Sequence, residues 1–521
     1  MTGNAIKGRV QHATVLERLA ELARSEGRAQ PALRDVHRAL SYGELHDAVV
    51  EIANWLRTLH CRVIGLQVEN SIDWVLLDLA CQAAAVVCLP LPDFFSASQQ
   101  QHCLHTAGVD LLITDRLLPE PQTAEQRTAA RADAIGTAAP RSIPHAARLT
   151  ARQVQASAGN AQSWPQGTAK ITFTSGSTGT PKGVCLSAAL QWQVAQSLAD
   201  AIAVRAVRHL CLLPLATLLE NVAGIYAPLL CGGEVILPDA KTRGLSGSSG
   251  LDIAALLHCL DTEQPESLIL LPQLLRALVG ACLQGWRPPA ALRFVAVGGA
   301  RVAPELIAEA RRHGLPVYEG YGLSECGSVV ALNTPAHDAP GSVGRVLPHC
   351  RVTIDAGEIV VAGAGHLGYL GEPASWFPAH VATGDLGSIG VDSFLHVSGR
   401  RKNLLITGYG RNVSPEWIES ALLAAPLLTQ CVVVGDARPY LIAIVSAAIA
   451  VDDTAIQRWL DTVNLQLPDY AQVRNFLRID TAAWSPLLTA NGRPNRGLID
   501  TQLGASIEQL YATADIQNIS A

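Results

Sequence analysis

Ile171-Thr-Phe-Thr-Ser-Gly-Ser-Thr-Gly-Thr-Pro-Lys-Gly-Val184 decides how the chain is read. An apolar strand runs into a turn built of Gly, Ser and Thr, then leaves it through Pro181 and a lone Lys182. Gly176 and Gly179 let backbone N–H groups converge on an anion. The hydroxyls of Thr174, Ser175, Ser177 and Thr178 add donors, and Lys182 adds mobile positive charge. The stretch reads as a phosphate cradle. It is not the common G-x-x-x-x-G-K-[ST] loop, because Pro181 stands where that pattern needs its second glycine.

Working outward, short apolar runs alternate with helical patterns. Val15, Leu16, Leu19 and Leu22 recur at helical spacing, Ser41 with Glu44 predicts a capped helix start, and residues 63–68 and 85–91 read as strands. The most apolar stretch, 74–92, is interrupted by Asp78 and ends in prolines, which predicts a buried helix and strand rather than a membrane span. Residues 210–214, 234–237, 267–271, 292–297 and 315–318 are further strand candidates, most of them followed by helical patterns. This alternation predicts an α/β architecture: a large N-terminal domain of parallel and mixed sheets packed with helices. Residues 119–166 are rich in Ala, Pro and Gln, lack a period, and read as a long surface connection. Beyond about residue 345 the short runs 351–354, 358–362 and 394–397 come without long helices between them, which predicts a small β-rich region. Ser414-Pro415 then predicts a helix start, and 431–434 with 440–445 a hairpin, in a small mobile α+β C-terminal domain.

With 521 residues the chain is long enough for more than one core of about 150 residues. Apolar residues make up 49% and charged ones 16%, which excludes a disordered chain. The net charge of −6 comes without a basic stripe, so no nucleic-acid partner is expected. Twelve cysteines are scattered singly with no CxxC pair, and Met1 to Arg18 contains no apolar signal-type region. Together these predict reduced thiols in a cytoplasmic protein with no integral membrane segment.

The loop resembles the phosphate-binding loop of the adenylate-forming superfamily, which includes acyl-CoA synthetases, adenylation domains and luciferases. Other segments resemble family motifs in the same order: Leu40-Ser-Tyr-Gly-Glu-Leu45, Gly298-Gly-Ala300, Tyr318-Glu-Gly-Tyr-Gly-Leu-Ser-Glu325, Thr383-Gly-Asp385, Ser398-Gly-Arg400, Gly410-Arg-Asn-Val-Ser-Pro415 and Leu488-Thr-Ala-Asn-Gly-Arg-Pro-Asn-Arg496. The resemblance implies that Glu325 holds Mg²⁺ and Ser324 bonds the α-phosphate. It implies that Gly299, Ala300, Glu319, Gly320, Tyr321 and Gly322 form the nucleotide cradle. Asp385 would accept the ribose hydroxyls, with Arg400 beside it. It further implies two domains, 1–401 and 403–521, rotating about a hinge at Lys402. The loop at Tyr409 and Gly410 would then serve a thiol step.

Two departures from the family pattern stand out. Thr217 lies where fatty-acid-activating relatives usually carry His or an aromatic residue, so the acyl entrance near Thr217, Val222 and Val329 is expected to be altered. Glu220 matches a residue of long-chain acyl-CoA synthetases and points towards a fatty acyl substrate. Arg493 takes the place of the C-terminal lysine, and no lysine follows Lys402. Arginine keeps the charge but is planar and longer. The resemblance implies catalysis by Glu325, Lys182 and Arg493, with ATP and Mg²⁺ as cofactors and a small-molecule carboxylic acid as substrate. The acceptor is a thiol, of CoA or of a phosphopantetheine on an acyl carrier protein acting in trans. An adenylate-binding homologue with impaired adenylation, or a ligase with a non-thiol acceptor, are the alternatives.

Overall fold

A computed structural model describes residues 15–24, 26–116, 141–154, 163–174, 181–203, 207–246, 250–408, 410–447, 450–489 and 492–519. Ser175, Gly176, Ser177, Thr178, Gly179 and Tyr409, assigned to the phosphate and thiol loops, lie outside these residues. Two sheets organise the large domain. One has seven strands in the order Gly368–Tyr369, Lys182–Leu186, Lys170–Thr174, Val87–Pro90, Val63–Gln67, Leu111–Thr114 and Thr150–Gln153. The other has nine, with Val317–Tyr321, Phe294–Val297, Ser267–Leu270, Arg208–Leu210, Glu234–Leu237 and Pro31–Asp35 running parallel through its middle.

Alternation of side chains explains the layering. In the seven-stranded sheet Ile64, Leu66, Cys88, Ile113 and Val184 enter a central core, whereas Val63, Leu89, Leu112, Ile171 and Cys185 face an outer one. Helices Tyr42–Leu59, Ile72–Ala84 and Ala188–Ile202 fill the central layer between the sheets. Helices Ile253–Glu263, Pro272–Leu283 and Pro304–Arg312 cover the far face of the nine-stranded sheet. The predicted Ser41–Glu44 capping box is formed, with Ser41 Oγ accepting from Glu44 N at 3.3 Å and Ser41 N donating to Glu44 Oε2 at 2.8 Å. None of the twelve cysteines forms a disulfide, and the ten that are buried serve as packing atoms. No helix among the described residues is long and apolar enough to cross a membrane.

Three sequence expectations need correction. The strand expected at 210–214 is Arg208–Leu210, and the residues after it form a loop whose Thr217 N–H bonds back to Pro214 O at 3.0 Å. The long connection contains the strand Thr150–Gln153, antiparallel to Leu111–Thr114. Its mixed polarity hides it. Strand His380–Ile389, ten residues with Gly384 and Gly387 inside, joins Arg351–Asp355, Glu358–Ala362 and Leu395–Arg400 in the β-rich region. The hairpin of the C-terminal region forms as Leu428–Val434 with Leu441–Ala447 and gains a third, parallel strand, Val473–Arg478.

A fully buried polar knot ties the seven-stranded sheet to the helical layer packed against it. Lys170 of the seven-stranded sheet lies 2.8 Å from Asp78 Oδ1, both side chains 1% exposed. Lys170 Nζ also donates to Asn221 Oδ1 and, at 3.2 Å, to Tyr226 Oη. Asn221 Nδ2 donates to Asp78 Oδ2 at 3.1 Å, and Tyr226 Oη donates to the same oxygen. Asn221 and Tyr226 belong to the π-helical stretch Leu219–Tyr226, and Trp192 stacks on Tyr226 at 4.7 Å. Removing one partner strands a buried charge, so Lys170→Met is predicted to cost about 3–5 kcal/mol. Urea unfolding should show this as a lowered midpoint. A midpoint within error of the unsubstituted chain would refute the role.

Candidate active site

The carboxyl ends of the parallel strands open into one continuous cavity of about 1620 Å³, bounded by both domains. Its mouth is a backbone cradle. Gly299 sits at φ +81°, a conformation in which other residues are strained, and a Cβ there would lie 3.0 Å from Leu271. At Gly322 a Cβ would fall 1.7 Å from Ser328 O, so only glycine fits. Ala300, Glu319, Gly320, Tyr321, Ser324 and Glu325 line the same mouth.

Asp385 is held from two sides. Arg400 Nε donates to Oδ1 at 2.7 Å and Tyr321 Oη to Oδ2 at 2.7 Å. Burial opposes the charge on Arg400, but the Asp385 carboxylate outweighs it and raises the guanidinium above its ordinary range. Burial, with Asp385 beside it, pushes the Tyr321 phenol up. Glu325 Oε1 accepts from Tyr369 Oη at 3.1 Å, and among the described residues its other oxygen is unengaged. Lys182 is half exposed, pairs with Glu372 at 3.0 Å, and lies 5.2 Å from the Tyr369 ring centre.

Arg493 reaches the cavity from the C-terminal domain. Thr489 braces the turn that carries it: Thr489 N donates to Arg493 O at 2.6 Å, and Arg493 N to Thr489 Oγ1 at 3.2 Å. The guanidinium donates to Gly299 O across the domain boundary. Both domains crowd it, although solvent still enters from the mouth; that crowding, and then Arg400 nearby, lowers its pKa. Lys402 also lines the cavity, within a short turn Arg401–Asn403, and burial followed by Arg400 lowers its pKa. Gly399 packs against Ser414, whose Oγ a Cβ would meet at 2.2 Å. The hairpin Leu405–Ile406/Asn412–Val413 beside Gly410 does not line the cavity in this orientation.

Deeper in, Thr217 and Val329 line the wall. Val222 does not: it is fully buried in the central core, and Ala223, one residue on and turned to another face of the helix, takes the wall position. Glu220 is likewise 0% exposed and off the wall, its oxygens 3.2 Å from His209 Nε2 and 3.3 Å from Leu213 N. Sequence reasoning missed Tyr369, His209 and Ser267. The signal for the last two was a polar residue at the start of an apolar run, His209 before residues 210–213 and Ser267 before residues 268–271.

The family model for AMP-binding enzymes matches residues 19–370, and the model for their C-terminal domain matches 402–515. The chain is 38% identical over 177 residues to the long-chain-fatty-acid–CoA ligase FadD15 of Mycobacterium bovis, covering 32% of this chain and 28% of that ligase. It is 28% identical to the feruloyl-CoA synthase of an Amycolatopsis species, covering 78% of this chain and 83% of that protein. The crystal structure of the anthranilate CoA ligase AuaEII superposes with a TM-score of 0.77 at 17% identity, covering 95% and 98% of the two chains.

Glu319 offers a pH test. Burial, which the backbone N–H of Val302 and Arg301 offset only in part, raises its carboxyl from 4.5 to about 7. The native state therefore keeps a proton that the unfolded chain has released. Stability falls as pH rises from 4.5 towards 7. Glu319→Gln is predicted to flatten this slope, with a gain of about 2–3 kcal/mol near neutral pH. Parallel pH profiles of unfolding for the two proteins would overturn the assignment.

Proposed function

The chain belongs to the AMP-binding enzyme family, and from that membership we propose that it activates a lipophilic, fatty-type carboxylic acid with ATP and passes the acyl group to the thiol of CoA. The observation that carries the reading is the convergence of Asp385, Glu325 and Arg493 on a glycine-lined mouth that opens into the acyl cavity. Asp385 is acceptor-only and takes the two ribose hydroxyls. Gly299, Ala300 and Tyr321 frame the adenine, and Gly320, Gly322 and Ser324 approach the α-phosphate. Glu325, with Oε1 already fixed by Tyr369, offers its free oxygen to Mg²⁺, a hard cation suited to carboxylate and phosphate oxygens. Bound there, the metal neutralises phosphate charge.

Bringing a carboxylate up to the α-phosphate sets anion against anion. Arg493, Arg400 and Lys182 supply the opposing charge at the mouth, where the small domain closes over part of the site. The attacking carboxylate oxygen bonds to the α-phosphorus as pyrophosphate leaves. The acyl carbon then meets the thiol sulfur, AMP departs, and a thioester remains. We assign the change between steps to rotation about Lys402, which withdraws Arg493 and brings the Gly410 hairpin forward. The sequence FadD15 shares with this chain, in a protein named for long-chain fatty acids, supports the lipophilic substrate.

Pyrophosphate release with a panel of fatty and aryl acids, with and without CoA, tests the reading. No release with any acid would refute it. Glu325→Gln is predicted to lower release more than Lys182→Ala, because Lys182 is half exposed and already paired with Glu372. The reverse order would count against the metal assignment. Arg493→Ala is predicted to slow adenylation by roughly 30- to 1000-fold, as for a charge-assisted bridge worth about 2–4 kcal/mol in a closed site. Transfer from a supplied acyl-adenylate should change little. Equal losses in both half-reactions would show that Arg493 does not act in the first alone.

A further inference from the structure

One polar pair on the cavity wall is unused by the chemistry at the mouth. His209 and Ser267 are register partners on adjacent parallel strands, and Phe294 pairs with Ser267 on its other side. Paired positions share a sheet face, and all three line the cavity opposite Ala223 and Ala227 of the helical wall. His209 is 3% exposed and Ser267 8%. The chain from Phe294 to Val297 runs towards the mouth, so the pair lies about 10–15 Å below the site of adenylation.

The hydrogen bonds around His209 fix what is left over. Glu220 is fully buried, with Oε1 3.2 Å from His209 Nε2 and Oε2 accepting from Leu213 N. Burial lowers the pKa of the neighbouring Arg243 guanidinium, which Glu69 and then Glu220 oppose. A carboxylate, the ordinary form of a glutamate side chain, only accepts; opposite it a neutral imidazole carries its proton on Nε2 and leaves Nδ1 as the acceptor. Ser267 Oγ lies 2.8 Å from Nδ1 and must donate its single proton there. Its lone pairs remain, and they can only accept. Gly224 makes this arrangement possible, since a Cβ at that position would lie 2.7 Å from Glu220 Oε1 and 2.8 Å from His209 Nε2.

We infer that Ser267, oriented by His209 and Glu220, is a specificity residue that accepts a hydrogen bond from a donor group, a hydroxyl or N–H, on the distal part of the acid. This rests on the acid-activation reading above. His209 and Glu220 act through Ser267 as positioning residues. An acid lacking the donor leaves the serine oxygen unpaired in a dry wall, and one bearing a methoxy group there presents acceptor to acceptor.

The test compares kcat/KM for pyrophosphate release on cinnamic, para-hydroxycinnamic and para-methoxycinnamic acids, and on decanoic and ω-hydroxydecanoic acids. In at least one series the hydroxylated member should be preferred over its unsubstituted and methoxy analogues, on the order of tenfold. Ser267→Ala, with folding verified by its unfolding midpoint, should bring that ratio close to one. Glu220→Gln, whose amide can donate to Nε2 and reverse the chain, should shift the aryl preference towards the methoxy acid. Equal rates within both series, or a ratio that survives Ser267→Ala, would overturn the inference. If no acid releases pyrophosphate, calorimetric binding of the same acids separates the two readings. Tighter binding of the hydroxylated acid, lost in Ser267→Ala, would retain the subsite while acid activation fails; binding indifferent to the hydroxyl would overturn both.

Discussion

The buried pair of Asp78 and Lys170 is the constraint from which the working parts of the large domain follow. One partner comes from a helix packed between the sheets, the other from the strand that leads into the anion loop. Through Asn221 and Tyr226 the pair also grips the π-helical wall of the cavity. A single polar knot thus fixes the spacing between the strand that leads to the proposed phosphate loop and the helix that lines the proposed acyl space. Two charges so deeply buried stabilise little by themselves, because desolvation offsets most of their attraction. Their effect is geometric: every other register of strand against helix leaves at least one of them unpaired.

At the mouth the balance is reversed. Arg400, Arg493 and Lys402 approach one another around Asp385, with Glu325 and Glu416 farther along the same lining, and burial lowers the pKa of Arg493 and Lys402. Packing cations together in this way is unfavourable until an anion arrives. The proposed nucleotide would relieve it, which couples occupancy of the cradle to closure of the small domain. Gly399 belongs to the same logic, since its missing side chain lets Ser414 close against the end of the β-rich region.

The sequence was most legible where local chemistry and the final fold agree. Ser41 with Glu44 forms its capping box, 63–68 appears as Val63–Gln67, and 234–237 is a strand over the same residues. Ordered motifs brought Gly299, Tyr321, Glu325 and Arg400 to one mouth because each lies at the end of a strand or in the loop that follows it, and Asp385, inside strand His380–Ile389, joins them as the register partner of Arg400. What remained hidden depends on partners far along the chain. Asp78 looked like an interruption in an apolar stretch until Lys170 met it, and Thr150–Gln153 becomes a strand only by pairing with Leu111–Thr114. The resemblance puts Val222 at the acyl entrance, yet one step along a helix decides which side chain meets the cavity and which the core.

Arg493 has a consequence for the durability of such an enzyme. A mixed acyl–phosphate anhydride is an electrophile, and the nearest free amine is its natural trap. A lysine crowded as Arg493 is would shed part of its charge through desolvation and become that amine. The guanidinium stays protonated and has no nucleophilic lone pair to offer. If Arg493 leans over the reacting centre as proposed, it is inert to the acyl-adenylate, and each turnover carries one route fewer to self-acylation.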